Sequence, residues 1–170
     1  MNRFTATVFI ALVSLSFFSG CREEKEVENM SVPRLMLESR RVDYGNLGGE
    51  TLVLPVSGTT LHVSDEPLVD EFEIVDVDMV KVEMGLAVMV EVTDKGARDM
   101  YRKSVTNMGG RIVLTVNGNA VGAQRITRAI DDGKFYTFVE VDDEELGQLV
   151  LDIKESLFYL HSERASLLGK

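Results

Sequence analysis

Asn117-Gly118 stands between two apolar runs, Arg111 to Val116 and Ala120 to Ile126. Both residues tolerate positive φ, which a two-residue hairpin turn demands, so this is the strongest short-range folding signal in the chain. It commits the second half to antiparallel pairing, and the neighbouring segments must accommodate that hairpin. Leu86 to Val92 reads as a nearly unbroken apolar strand suited to the centre of a sheet. Phe72 to Met84 nearly alternates charged and apolar residues with slips of parity, the pattern of a strand with a bulge or a break. Asp131-Asp132-Gly133 predicts a second turn into Phe135 to Val141, an aromatic and β-branched strand.

Two helices complete this half. Thr93 or Asp94 can cap the first, in which Ala97, Met100, Tyr101, Ser104, Val105 and Met108 recur at helical steps as one buried face. Gly109-Gly110 ends it. Asp142 and Glu145 have capping-box spacing, and Leu146, Leu149, Val150, Ile153, Leu157 and Leu160 form the stripe of the second helix. The fold class expected is therefore α+β. It comprises a mixed or antiparallel sheet of about five strands with two helices on one face, preceded by a short β-rich annex.

The organisation expected is a signal peptide over 1–20, a flexible tether over 21–32 and the annex over 33–67. The α+β domain then spans 68–160, with a tail over 161–170. In the annex, Leu35 to Val42, Thr51 to Val56 and Thr60 to Val63 are strand candidates, punctuated by Gly45, Gly48, Gly49 and Gly58. The tether is charged and lacks apolar periodicity. At the N-terminus, Arg3 precedes an apolar run from Val8 to Phe18 that falls short of the roughly 20 residues needed to span a bilayer. Cys21 follows Ser19 and Gly20 and is the one cysteine of the chain, so no internal disulfide is possible.

Phe18-Ser19-Gly20-Cys21 resembles the lipobox of bacterial lipoproteins, with Phe18 departing from the usual Leu. The resemblance implies cleavage between Gly20 and Cys21, diacylation of Cys21 (palmitate being a typical acyl group), and anchoring to an envelope membrane facing the periplasm or exterior. Arg22, in place of an Asp after the cysteine, favours the outer membrane over the inner. Two acyl chains suffice for stable anchoring.

The chain carries 28 Asp plus Glu against 18 Lys plus Arg, a net charge of −10. That sign repels phosphate backbones and argues against a nucleic-acid partner. Candidate chemistry is sparse. His62 and His161 are far apart in sequence and neither has a metal-ligand partner one helical turn away, so no metal and no cofactor are expected. Asp76 and Asp78 share one strand face and read as its wet side rather than an acid–base pair. Asp131-Asp132-Gly133 lacks the further oxygens of a calcium loop. Ser57-Gly58-Thr59-Thr60 lacks a nucleophile elbow. Tyr136 and Phe138 share one strand face while Phe135 takes the other, a core residue beside a small contact patch.

The stretch from Leu86 to Ile153 resembles the head of the first periplasmic domain of SecD, a subunit of bacterial protein export. The resemblance rests on Val92-Thr93-Asp94-Lys95-Gly96-Ala97, Gly110, and Ile112-Val113-Leu114-Thr115-Val116-Asn117-Gly118. It continues through Ala123, Ile126, Ile130, Gly133 and the helix opened by Asp142 to Glu145. Asn117 and Gln124 depart from the family's usual Asp and Pro. These are structural positions, and the family's multi-helix membrane part has no counterpart here. The resemblance implies a non-catalytic module that contacts polypeptide or an envelope protein, through the surface around Asn117 to Ile126 and Phe135 to Val141. A structural spacer lipoprotein with no role in translocation is the alternative.

Overall fold

The computed structural model describes residues 30–39 and 49–169. Gly20, Cys21, the signal, most of the tether and the annex glycines Gly45 and Gly48 lie outside the described residues. Among the described residues, eight strands and two helices follow in the order β1 (Pro33–Leu37), β2 (Glu50–Val53), β3 (Thr60–Val63), β4 (Ile74–Val82), β5 (Gly85–Val92), α1 (Asp94–Thr106), β6 (Arg111–Val116), β7 (Asn119–Arg125), β8 (Lys134–Thr137) and α2 (Asp143–Leu168). The fold is α+β, with every strand pair antiparallel.

The five strands expected in the second half all form, but their ladder bonds divide them between two sheets. One has the order β1-β6-β7 and the other β4-β5-β8. An antiparallel bridge between Gly122 and Val139 joins the two at β7 and β8. The third sheet is the β2–β3 hairpin. β1 differs from the expectation of a separate annex: it leaves β2 and β3 to pair with β6 from Pro33↔Val116 to Leu37↔Ile112. Its apolar sequence explains the choice, because β1 then buries side chains on both faces. Leu35 and Leu37 face the helices, while Met36 meets Leu52, Leu54 and Leu61 of the hairpin segment on the other side.

β6 is treated the same way. Ile112, Leu114 and Val116 enter the main core, and Val113 enters the smaller core beneath β2 and β3. A strand covered on both faces needs a continuous apolar run, which Ile112 to Val116 supplies apart from Thr115, whose hydroxyl donates to the Arg34 carbonyl at 3.2 Å. The main core is closed by Met100 of α1 and by Leu146, Val150, Ile153 and Leu157 of α2.

Local signals explain the boundaries. Asn117 (φ 51°) and Gly118 (φ 80°) adopt the conformation that their turn requires. The parity slip in β4 is a bulge between Ile74 and Asp76. The Thr93 side chain accepts from Gly96 N at the start of α1. Asp142 is the N-cap of α2 but makes no side-chain cap bond, so the expected capping box does not form. The three acids that follow still suit the helix dipole. The buried face of α1 is also narrower than its periodicity suggests: Gly96, Met100 and Ser104 are buried, whereas Tyr101, Val105 and Met108 are about half exposed. Finally, α2 runs on through the segment expected as a tail, with the Arg164 guanidinium 4.8 Å from the centre of the Phe72 ring.

At Gly122 a Cβ would stand 2.4 Å from the Phe138 carbonyl oxygen, so the junction between the two sheets exists only with glycine there. Gly147, on α2, has nothing within 4 Å of that position. Gly122→Ala should destabilise the protein by about 1–3 kcal/mol as β7 and β8 are forced apart. Gly147→Ala should stabilise it by about 0.5–1 kcal/mol through helix propensity. Denaturant melts of the two variants check both signs.

Candidate functional site

The two sheets form one curved layer with an inner face toward the helices and an outer face. Over β1, β6 and β7 the outer face is covered by the β2–β3 hairpin. Over β4, β5 and β8 it carries Asp76, Asp78, Val80, Val82, Ala87, Met89, Tyr136 and Phe138, as the register and strand alternation require. No described element covers this half. Tyr136 and Phe138 are each 38% exposed, while their neighbours Phe135 and Thr137 are buried on the inner face.

The boundary between the two halves is a groove. β7 and β8 meet at Gly122–Val139, where Glu140 N donates to the Val121 carbonyl at 2.7 Å. Continued in register, Gln124 would face Thr137 and Ile126 would face Phe135. Instead the strands diverge, and a cavity of about 240 Å³ opens between them. Ala87, Ile126, Ile130 and Phe135 contribute apolar surface, Tyr136 and Phe138 flank it, and Arg125, Arg128 and Lys134 supply charge. Ile126 is held away from β8 by its own partners: its N–H donates to the Gly110 carbonyl, and its carbonyl accepts from Gly109 N. The divergence leaves one edge of β7 and one edge of β8 without a strand partner among the described residues.

Glu140 fixes the narrow end. Its Oε2 accepts from Ser57 N at 2.8 Å and Val56 N at 2.9 Å, latching the turn after β2 to the outer face beside Phe138. Those N–H groups, Ser57 foremost, hold the Glu140 carboxyl below the usual carboxylate range. A depressed pKa contributes stability above the unfolded value, and that contribution is lost as pH falls through the folded value.

The positions drawn from the family resemblance fall mostly on close approaches around this framework. Gly96 sits where a Cβ would be 3.1 Å from Val92 Cβ, and Gly133 (φ +67°) where it would be 3.2 Å from Ala97 Cβ. These two glycines bring the start of α1 and the turn before β8 against β5. A Cβ on Gly110 would meet the Asn107 carbonyl at 3.2 Å. Ile130 packs on the main core, and its N–H donates to the Ser104 hydroxyl at 3.0 Å. Ala123 packs beneath the hairpin. Asn117 and Gly118 lie at the far end of β7 from the groove, where Asn117 Oδ1 accepts from Val32 N.

The candidate chemical groups do not converge. His62 Nδ1 shares a hydrogen bond with Thr51 Oγ1, and His161 Nε2 lies 3.3 Å from the Glu71 carbonyl oxygen rather than in solvent. Asp76 and Asp78 both bind Lys154 Nζ, at 3.4 and 3.1 Å, which reaches them around the edge of β4. This clamp, led by the Asp78 contact, raises the Lys154 pKa and blunts an otherwise open strand edge. Asp132 caps the turn by accepting from Lys134 N. Ser57 bonds Thr59 within its own turn. Among the described residues no three His, Cys, Asp or Glu side chains are placed to hold a metal ion, and no helix is long and apolar enough to cross a membrane.

The groove's charged residues and the Glu140 latch escaped the sequence reading. Gly122 was the available clue, since a glycine inside an otherwise apolar strand marks a close backbone approach.

No protein-family profile matches the chain. Two solved structures share its fold. One is the membrane component SecDF that enhances protein export, with a TM-score of 0.53 at 18% identity over 74% of this chain and 63% of that one. The other is SecDF in a super-membrane-facing form, with a TM-score of 0.54 at 16% identity over 73% of this chain and 18% of that one. At such identities the likeness establishes the fold alone. A probable glucose-6-phosphate isomerase of Natronomonas pharaonis is 30% identical over 111 residues, 64% of this chain and 26% of that protein. The chain thus spans about a quarter of that relative.

Glu140→Gln should cost about 0.5–1 kcal/mol at neutral pH, because a neutral amide replaces a charged acceptor that is still partly solvated. The deficit should shrink as pH falls past the ordinary carboxyl value of 4.5 and vanish only below the lowered native value, where the latch is itself protonated. Denaturant midpoints of both proteins at pH 7 and at acid pH check the convergence.

Proposed function

We propose that the chain is a non-catalytic envelope lipoprotein, anchored through acylated Cys21, whose folded body uses a SecD-head-like module to bind extended polypeptide. The observation that carries the reading is the divergence of β7 and β8. Two strand edges without strand partners face one groove beside the exposed rings of Tyr136 and Phe138. Edges of this kind bind an added chain through backbone hydrogen bonds, and adjacent apolar surface adds affinity without a strict sequence motif. The SecDF structures support the same direction, since one belongs to a component that enhances protein export. On this reading the module serves export or the handling of exported chains at an envelope membrane. The isomerase match supplies no competing site: in the described residues the shifted titrating groups are held in surface ion pairs or, for Glu140, in a turn latch.

A photoreactive residue at Phe138 in living cells tests the binding reading. Adducts with many unrelated exported chains are expected at 138 and not at Glu155, on the solvent face of α2. A single recurrent adduct narrows the reading to one dedicated envelope partner, and no adduct at either site replaces it with the spacer role.

The anchor is tested separately. Cys21→Ser should abolish metabolic labelling by palmitate and move the protein from the membrane to the soluble fraction. Retention of the label refutes lipidation at this residue.

A further inference from the structure

The groove gathers three cations, Arg125, Arg128 and Lys134, on an acidic molecule. Of the twelve lysines and arginines among the described residues, five are spent on carboxylates: Arg34 on Glu71, Lys95 on Glu73, Arg102 on Asp99, Arg111 on Glu38 and Lys154 on Asp76 and Asp78. Outside the groove lining, Lys81, Arg98, Lys103 and Arg164 have no ion-pair partner among the described residues. Arg125 and Arg128 line the groove, are exposed, and have no ion-pair partner among the described residues. Lys134 stands on the opposite wall and meets Glu91 only at 3.8 Å. The nearby acids are otherwise engaged or turned elsewhere. Asp132 caps the Lys134 N–H, Asp131 borders a different groove beside α1, and Glu140 is latched to Val56 and Ser57.

We propose that this groove selects extended polypeptide segments carrying carboxylates, which Arg125 and Arg128 receive while alternate apolar side chains pack on Tyr136 and Phe138. The proposal rests on the polypeptide-binding reading and adds a preference to it. The net charge of −10 does not oppose it at close range. At physiological ionic strength fields are screened beyond about 8 Å, so the charges lining the groove outweigh those on distant faces. Arginine suits the task because its planar fork receives a carboxylate in two parallel hydrogen bonds. A long polyanion is a different matter, since most of its length would lie against the acidic remainder of the surface.

The test uses the full-length protein and three labelled ten-residue peptides that share one alternating Val/Leu/Phe scaffold and carry Glu, Gln or Lys at the intervening positions. Fluorescence anisotropy should give the Glu peptide about tenfold tighter binding than the Gln peptide, as two exposed ion pairs allow, with the Lys peptide weakest. The preference should shrink in about 0.5 M salt. Arg125→Glu/Arg128→Glu should invert the order of the Glu and Lys peptides without lowering the melting temperature, because both side chains are exposed. Tyr136→Ala/Phe138→Ala should weaken all three peptides alike. Equal binding of the Glu and Gln peptides, unchanged by the arginine reversal, overturns the acidic preference while the polypeptide-binding reading stands. Failure of every peptide to bind overturns both. Tighter binding of a single-stranded oligonucleotide than of the Glu peptide also overturns the proposal.

Discussion

The architecture hangs on the close approach of Gly122 to the Phe138 carbonyl. There the ladder containing β1, β6 and β7 touches the ladder containing β4, β5 and β8, and two small sheets become one surface with a shared inner core. A side chain at this point would hold the halves apart. Because the contact is confined to one bridge, the strands on either side follow their own twist, and the composite sheet splits just beyond it. The groove is therefore a by-product of how the halves are joined. It needs no specialised loop.

Burial follows from the same geometry. The inner face of both halves is covered by helices, so Val77, Val88, Val90, Ile112 and Leu114 are all fully or almost fully inaccessible. The outer face is covered only over β1, β6 and β7, by a hairpin whose four-residue strands reach no farther than the Glu140 latch. What lies past the latch is left half-buried, and this is where the aromatic rings and the uncommitted arginines meet. The arrangement separates a rigid part, sealed on both faces, from a part with surface to spare.

Much of this was legible in the sequence, for identifiable reasons. Asn117-Gly118, the apolar run of β5 and the stripe of α2 are local patterns, and local patterns survive folding. The parity slip in β4 left a bulge or a break open, and the register shift between Ile74 and Asp76 falls where the slip begins. The division into two sheets was hidden, because it depends on Gly122 meeting a backbone 16 positions later and on β1 crossing to a strand some 80 positions away. The capping box failed because spacing does not specify the side-chain rotamer. The face of α1 was read too wide because Tyr101 and Val105 have helical spacing that solvent tolerates. The partners of the histidines and aspartates were not legible: His62 meets Thr51, His161 meets the Glu71 carbonyl, and Asp76 and Asp78 share Lys154, all through contacts distant in sequence or across a hairpin. The cationic groove had no signal, since nothing in the local sequence places Arg125 and Arg128 on the same groove as Lys134.

The point where the chain enters the domain has a mechanical consequence. Ser31 N donates to the Ser156 hydroxyl, Val32 N to Asn117 Oδ1, and Asn117 N to the Val32 carbonyl, so entry is pinned at the hairpin end of β6 and β7. The groove lies at the other end of β7, about 20 Å along the strand. A pull on the N-terminal tether, resisted by anything held in the groove, acts along β1 in one direction and along β7 in the other, with β6 between them. Antiparallel ladders loaded lengthwise share the strain across all their hydrogen bonds at once instead of peeling one by one. The molecule is thus oriented to bear tension between its N-terminus and its groove, the direction in which the β1–β6 and β6–β7 pairings are hardest to separate.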